Sequence, residues 1–146
     1  MGESTEHLIA LLRPALDKAD AEDFLRAKEI DKLVNETEMK VDSAVSGIIN
    51  KYTVMGEELR FTLSAVKISG TLERAADKMK NCAKRLSRIS APLDAPVREQ
   101  LVTAMDALAA MVPLSMAQVL DYKAETTEIL LKHGASVQRA YRTILL

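Results

Sequence analysis

The sequence predicts an all-α fold, an antiparallel helical bundle, and three observations carry that expectation. Ala, Leu, Lys, Glu and Met are abundant, and these are the strong helix formers. The 146 residues hold only five Gly, four Pro and no Trp, without the β-branched and aromatic enrichment of sheets. Apolar side chains recur every three or four positions along several long stretches. At 48% apolar the chain is too hydrophobic for disorder, and its length suits one compact domain.

The first helix is a short amphipathic piece from about Thr5 to Asp17, with Leu8, Leu11, Leu12 and Leu16 on one side. Pro14 limits it, because proline inside a helix removes a hydrogen bond and kinks the axis. Asp20 is placed to cap a second helix from about Glu22 to Thr53. Its apolar stripe is Ile30, Val34, Thr37, Val41, Ala44 and Ile48, and beside it run Asp31, Asn35, Glu38, Asp42, Val45 and Ile49. Gly56 breaks the pattern, and a third helix extends from about Glu57 to Ile89. Counting by fours and threes from Leu59 gives Leu63, Val66, Gly70, Glu73 and Asp77 as its inward stripe. Pro92 and Pro96 bound a loop, and a fourth helix starts at Val97. Pro113 is expected to kink or restart it, with the helix continuing from Leu114 to Leu131 and Gly134 breaking it. The last dozen residues, with Val137, Tyr141 and Ile144, read as helical.

Charge and composition narrow the function classes. A formal net charge of -1 provides no overall field toward nucleic acid or an anionic membrane. No uninterrupted apolar run approaches 18 residues, so no direct membrane insertion is expected. The first residues, Met1 to Glu6, are acidic and lack the basic start of a signal peptide. Cys82 is the single cysteine, which excludes an internal disulfide and favours a cytoplasmic setting.

The chemistry-bearing pattern is a repeated acidic pair. Glu38 and Asp42 stand at i and i+4, as do Glu73 and Asp77, so each pair shares one helix face. The pairs lie at similar distances either side of Gly56, and a hairpin turning there brings them within about 5 Å of one level at a 1.5 Å rise per residue. Carboxylates gathered so closely repel unless a cation neutralises them. Two readings fit the residues alone: a metal or cationic-ligand site built by Glu38, Asp42, Glu73 and Asp77, with Asp31 as an outer ligand, or a purely structural acidic patch. An all-carboxylate set favours a divalent or trivalent cation such as Fe, Mn, Mg or Ca over zinc.

The third helix also carries a recognisable signature. Arg60, Ser64 to Ile68, Leu72-Glu73-Arg74, Asp77 and Lys80 to Arg85 resemble the PhoU family of phosphate-signalling proteins, and Glu29, Asp31, Asn35, Glu38 and Asp42 fit the preceding helix without gaps. The resemblance covers about Glu29 to Arg88. It implies a three-helix-bundle repeat over residues 1–90, its first helix truncated, and a partial, degenerate second repeat over 91–146. It implies Glu-x-x-x-Asp motifs able to hold multinuclear metal clusters. It also implies a regulatory partner role between a phosphate ABC transporter's ATPase subunit and a phosphate sensor histidine kinase, as a negative regulator of the starvation response. Ala76 stands where the family has glycine, and after Val137 the expected acidic residues are Gln138, Arg139, Ala140 and Arg142. With a second-repeat partner helix absent, Val119, Ile129, Leu130, Val137, Tyr141 and Ile144 are expected to lack full cover, which favours a homodimer.

The remaining candidates read as structural. His7 and His133 stand alone as surface residues, and Cys82 reads as a buried small hydrophobe. Arg60, Lys67 and Arg74 recur every seven residues as a solvated basic edge, with phosphate or partner contact as the alternative. Met105, Met111 and Met116 read as core filling. No Glu has a His three residues on, as a di-metal carboxylate enzyme of the ferritin-like kind requires. No nucleophile-base pair or phosphate loop appears either, so no enzymatic activity is expected. An oligomerising helical scaffold remains the other class.

Overall fold

The computed structural model describes residues 1–18 and 21–145. Five helices account for nearly all of them: α1 (Gly2–Ala15), α2 (Ala21–Lys51), α3 (Gly56–Leu86), α4 (Ala95–Leu120) and α5 (Ala124–Leu145). No strand occurs among the described residues, as the composition predicts. The expected Asp20 cap lies outside the described residues.

Two helical hairpins, α2–α3 and α4–α5, are joined through α1, which packs against α2, α3 and α4. α1 is buried along one side because Leu8, Leu12 and Leu16 recur at four-residue spacing, and Thr5 and Ile9 complete the covered face. α1 ends at Ala15, one residue past Pro14, as expected of a proline that cannot donate to the carbonyl four residues back. The central core gathers Leu8 and Leu12 from α1, Ala27 and Val34 from α2, and Ala76 and Ala83 from α3. Two ion pairs tie α1 and the turn that follows it to α4. Arg13 donates to both carboxylate oxygens of Asp106 at 2.6 and 3.1 Å, and Arg98 pairs with Asp17.

α3 departs from the expected register. Its buried residues are Thr62, Ser69, Ala76 and Ala83, one every seven positions, whereas Leu63 of the expected stripe is exposed. The contact is made by small side chains that let α2 and α3 approach closely, a seam that hydropathy alone under-reads. The outer half of the hairpin extends beyond α1. At 1.5 Å per residue α1 covers roughly 21 Å against roughly 46 Å for α2 or α3. Ile48, Ile49, Tyr52, Met55 and Phe61 accordingly remain exposed.

The break in the C-terminal half also falls elsewhere than expected. α4 runs through Pro113 and α5 runs through Gly134, and the chain turns at residues 121–123. Gln118 fixes that turn: its side-chain amide donates to the Lys123 carbonyl at 2.6 Å and its oxygen accepts from the Lys123 N–H at 2.6 Å. Gly134 is held in helix by α5 packing on α4, where its nearest neighbour is the Met111 methyl. Of the residues expected to lack cover, Val119, Ile129 and Tyr141 are exposed, and Leu130, Val137 and Ile144 are half-buried.

One helix, α4, is long and apolar enough over Ala95–Val119 to cross a membrane by length and composition. This differs from the reading based on uninterrupted apolar runs, because mean hydropathy averages across Thr103, Asp106 and Ser115. In this fold Asp106 is paired with Arg13, and α4 lies against both α1 and α5.

Candidate cation site between α2 and α3

The chain reverses over residues 52–55, slightly before the expected pivot at Gly56. That small shift changes which acids meet. Asp31 of α2 and Asp77 of α3 are level and share one cation, Lys80, whose ammonium donates to Asp31 Oδ2 at 2.9 Å and to Asp77 Oδ1 at 2.8 Å. Asn81 donates to the other Asp77 oxygen at 3.1 Å. Glu38 and Asp42 are half-buried further toward the hairpin tip, and Glu73 is half-buried on α3. Among the described residues no three His, Cys, Asp or Glu side chains stand close enough together to hold a metal ion. Asp31 and Asp77 are the two acids that the structure joins, through Lys80, while Glu38, Asp42 and Glu73 lie along the same two helices without entering that bridge.

Burial distinguishes the members of this bridge. The Asp31 side chain is 7% exposed, Lys80 23% and Asp77 39%. The hydrogen bond from Lys80 holds the Asp77 carboxyl below its usual range, with the amide of Asn81 adding to it. The same bonds to Asp77 and Asp31 raise the Lys80 ammonium above its ordinary value. Three buried oxygens along the α2 stripe have no hydrogen-bond partner: Asp31 Oδ1, Asn35 Oδ1 and Asp42 Oδ1. These are hard oxygen donors of the type that Mg, Ca, Mn or Fe prefers, so the donor chemistry fits a cation while Lys80 takes part of that role. Asp31, Asn35 and Lys80 also line a cleft of about 800 Å³, with Lys28, Lys84 and Phe24 around it.

Lys80 and Asn35 are the members that the acidic-pair pattern missed. The i,i+3 spacing of Asp77 and Lys80 was the available signal. Among the other candidates, Arg60, Lys67 and Arg74 are all exposed, as a solvated edge requires. His7 is exposed and His133 half-buried. Cys82, expected to be buried, is exposed, because the buried seam passes through Ala76 and Ala83 and leaves position 82 outside it. Packing around its thiol nonetheless raises the pKa, so the thiolate is disfavoured.

A short helix clasping a long α2–α3 hairpin, with acids and amides along the two long helices, defines a helical-bundle protein whose candidate site lies between two helices rather than in a loop. The PhoU domain family matches residues 1–86, which span α1 to α3, and the chain belongs to that family. It is similar to a "Phosphate-specific transport system accessory protein PhoU homolog" of Zymomonas mobilis, 31% identical over 136 residues. That match covers 86% of this chain and 57% of the relative, so the chain spans little more than half of the relative's length. No solved structure matches the chain significantly.

Proposed function

We propose that this protein is a regulatory accessory factor of phosphate uptake and phosphate-starvation signalling, working by contact and without chemistry of its own. The observation that supports this reading is the PhoU-domain match across the whole α1–α3 unit, including its acidic face. The proposed partners are the ATPase subunit of a phosphate ABC transporter and a phosphate sensor histidine kinase, met in the cytoplasm. Long helix faces suit such an adaptor, because they offer extended, rigid contact area that no single surface charge dominates. A second copy of the chain is proposed to cover the exposed apolar residues of α4 and α5 as a homodimer.

The α2–α3 face is proposed to bind a metal cation, with Asp31, Glu38, Asp42, Glu73 and Asp77 as the contributing acids. Bound there, a metal would supply charge neutralisation between the two long helices. Elemental analysis of the purified protein and Mn²⁺ titration test this part, and Glu73→Ala with Asp77→Ala should lower metal content. The regulatory role is tested in cells. Deleting the gene should turn phosphate-starvation genes on despite plentiful phosphate. Leu63→Pro, which breaks α3 at a cost of about 3 kcal/mol or more, should abolish partner capture. Silence of the starvation genes in the deletion strain overturns the pathway assignment.

A further inference from the structure

We propose that Lys80 is the resident cation of the α2–α3 acidic site, holding by its ammonium the place between Asp31 and Asp77 that a metal would take. The inference rests on the acidic-face reading above and deepens it by naming what competes with metal. Asp31 is the starting point, because a carboxylate buried this deeply is strongly destabilising unless a cation accompanies it. Lys80 supplies that cation from the opposite helix, at hydrogen-bond distance from both acids. Its position is fixed from below: it stands three residues after Asp77, and Asn81 pins the other Asp77 oxygen. The bridge therefore ties α2 to α3 without any added ion.

An ammonium offers three donors, and two of them go to Asp31 and Asp77. Asp31 Oδ1 and Asn35 Oδ1 remain buried and without a partner beside it. Lys80 thus neutralises the site while leaving hard oxygens unsatisfied. A chain built this way folds without metal and takes a metal weakly, because the metal must first displace a tethered positive charge.

The test compares wild type, K80M, K80R and the double variant D31N/K80M, each melted in EDTA and with added Mn²⁺, with Mn²⁺ affinity read by electron paramagnetic resonance. Wild type and K80R should melt at the same temperature in EDTA as without it. K80M should melt lower in EDTA and recover with Mn²⁺. It should also bind Mn²⁺ about tenfold or more tightly than wild type, comparable to the effect of one charge at contact distance on a carboxylate's proton affinity. D31N/K80M should recover stability in EDTA, because the unpaired buried charge is gone. If K80M folds only when refolded with Mn²⁺, that dependence supports the proposal equally. The proposal fails if EDTA destabilises wild type as much as K80M, or if K80M binds Mn²⁺ no more tightly while metal binding itself is measurable. A K80M defect rescued by D31N, with no Mn²⁺ bound by any variant, keeps the resident cation and removes the metal reading.

Discussion

At the residue scale, the Asp77–Lys80 pair links charge to stability in a defined pH range. Asp77 has a lowered carboxyl pKa in the folded chain, so its contribution is present above the unfolded value of 3.8 and is lost as pH falls below it. Lys80 has a raised pKa, so its contribution is present below 10.5 and is lost as pH rises past that value toward the higher folded one. The expected profile is a plateau between those limits, with K80M flattening the loss at the alkaline end. Chemical denaturation across pH checks this, and an unchanged alkaline limb in K80M would show that Lys80 bonds nothing in solution. Glycine gives a second contrast. Gly56 sits at φ +59, where a Cβ is strained, so Gly56→Ala should cost about 1–2 kcal/mol. Gly134 lies inside α5 with room for a methyl against Met111, so Gly134→Ala should add about 0.5–1 kcal/mol. Urea midpoints of the two variants should move in opposite directions.

At the element scale, the short helix α1 bears the most packing for its length. Leu12 is 1% exposed and joins the core shared with Val34 and Ala83, so Leu12→Ala should cost about 2–5 kcal/mol by lost burial and a residual cavity. Its leucine spacing was legible in the sequence, as were the starts of α2 and α3 and nearly their full lengths. The α3 seam was not, because Thr62, Ser69, Ala76 and Ala83 carry little hydropathy and act through close approach. Nor was the α4–α5 turn. Pro113 and Gly134 are conspicuous breakers, yet packing between the two helices overrides both, and an ordinary Gln118 makes the turn. Of the candidate site, the acid-bearing stripes of α2 and α3 could be read from the sequence, whereas the Asp31–Lys80–Asp77 contact depends on where the hairpin reverses. A few residues' change in where a hairpin reverses slides one 31-residue helix along the other, and sequence spacing alone does not fix that pivot.

At the scale of the whole molecule, the distribution of exposed apolar surface is the strongest guide to assembly. α3 and α4 flank an apolar groove of about 500 Å³ containing Ile68, Leu72, Leu108, Val112 and Val119. Nearby, Phe61 is 68% exposed, and on α5 Leu131 and Tyr141 are 69% and 63% exposed. Single exposed apolar residues are ordinary on a monomer, whereas a run of them along two neighbouring helices is costly to leave in water. A second copy offers the same faces in reciprocal arrangement, so one two-fold contact would cover both sets at once. The expected result is a dimer by multi-angle light scattering at micromolar concentration. Its dissociation should be insensitive to salt, because the buried residues carry no charge. Leu131→Glu together with Val119→Glu should yield a folded monomer with unchanged helicity, since both positions are exposed within a single chain. A wild-type protein that stays strictly monomeric at high concentration removes the dimer and leaves these faces open to the proposed transporter or kinase partner.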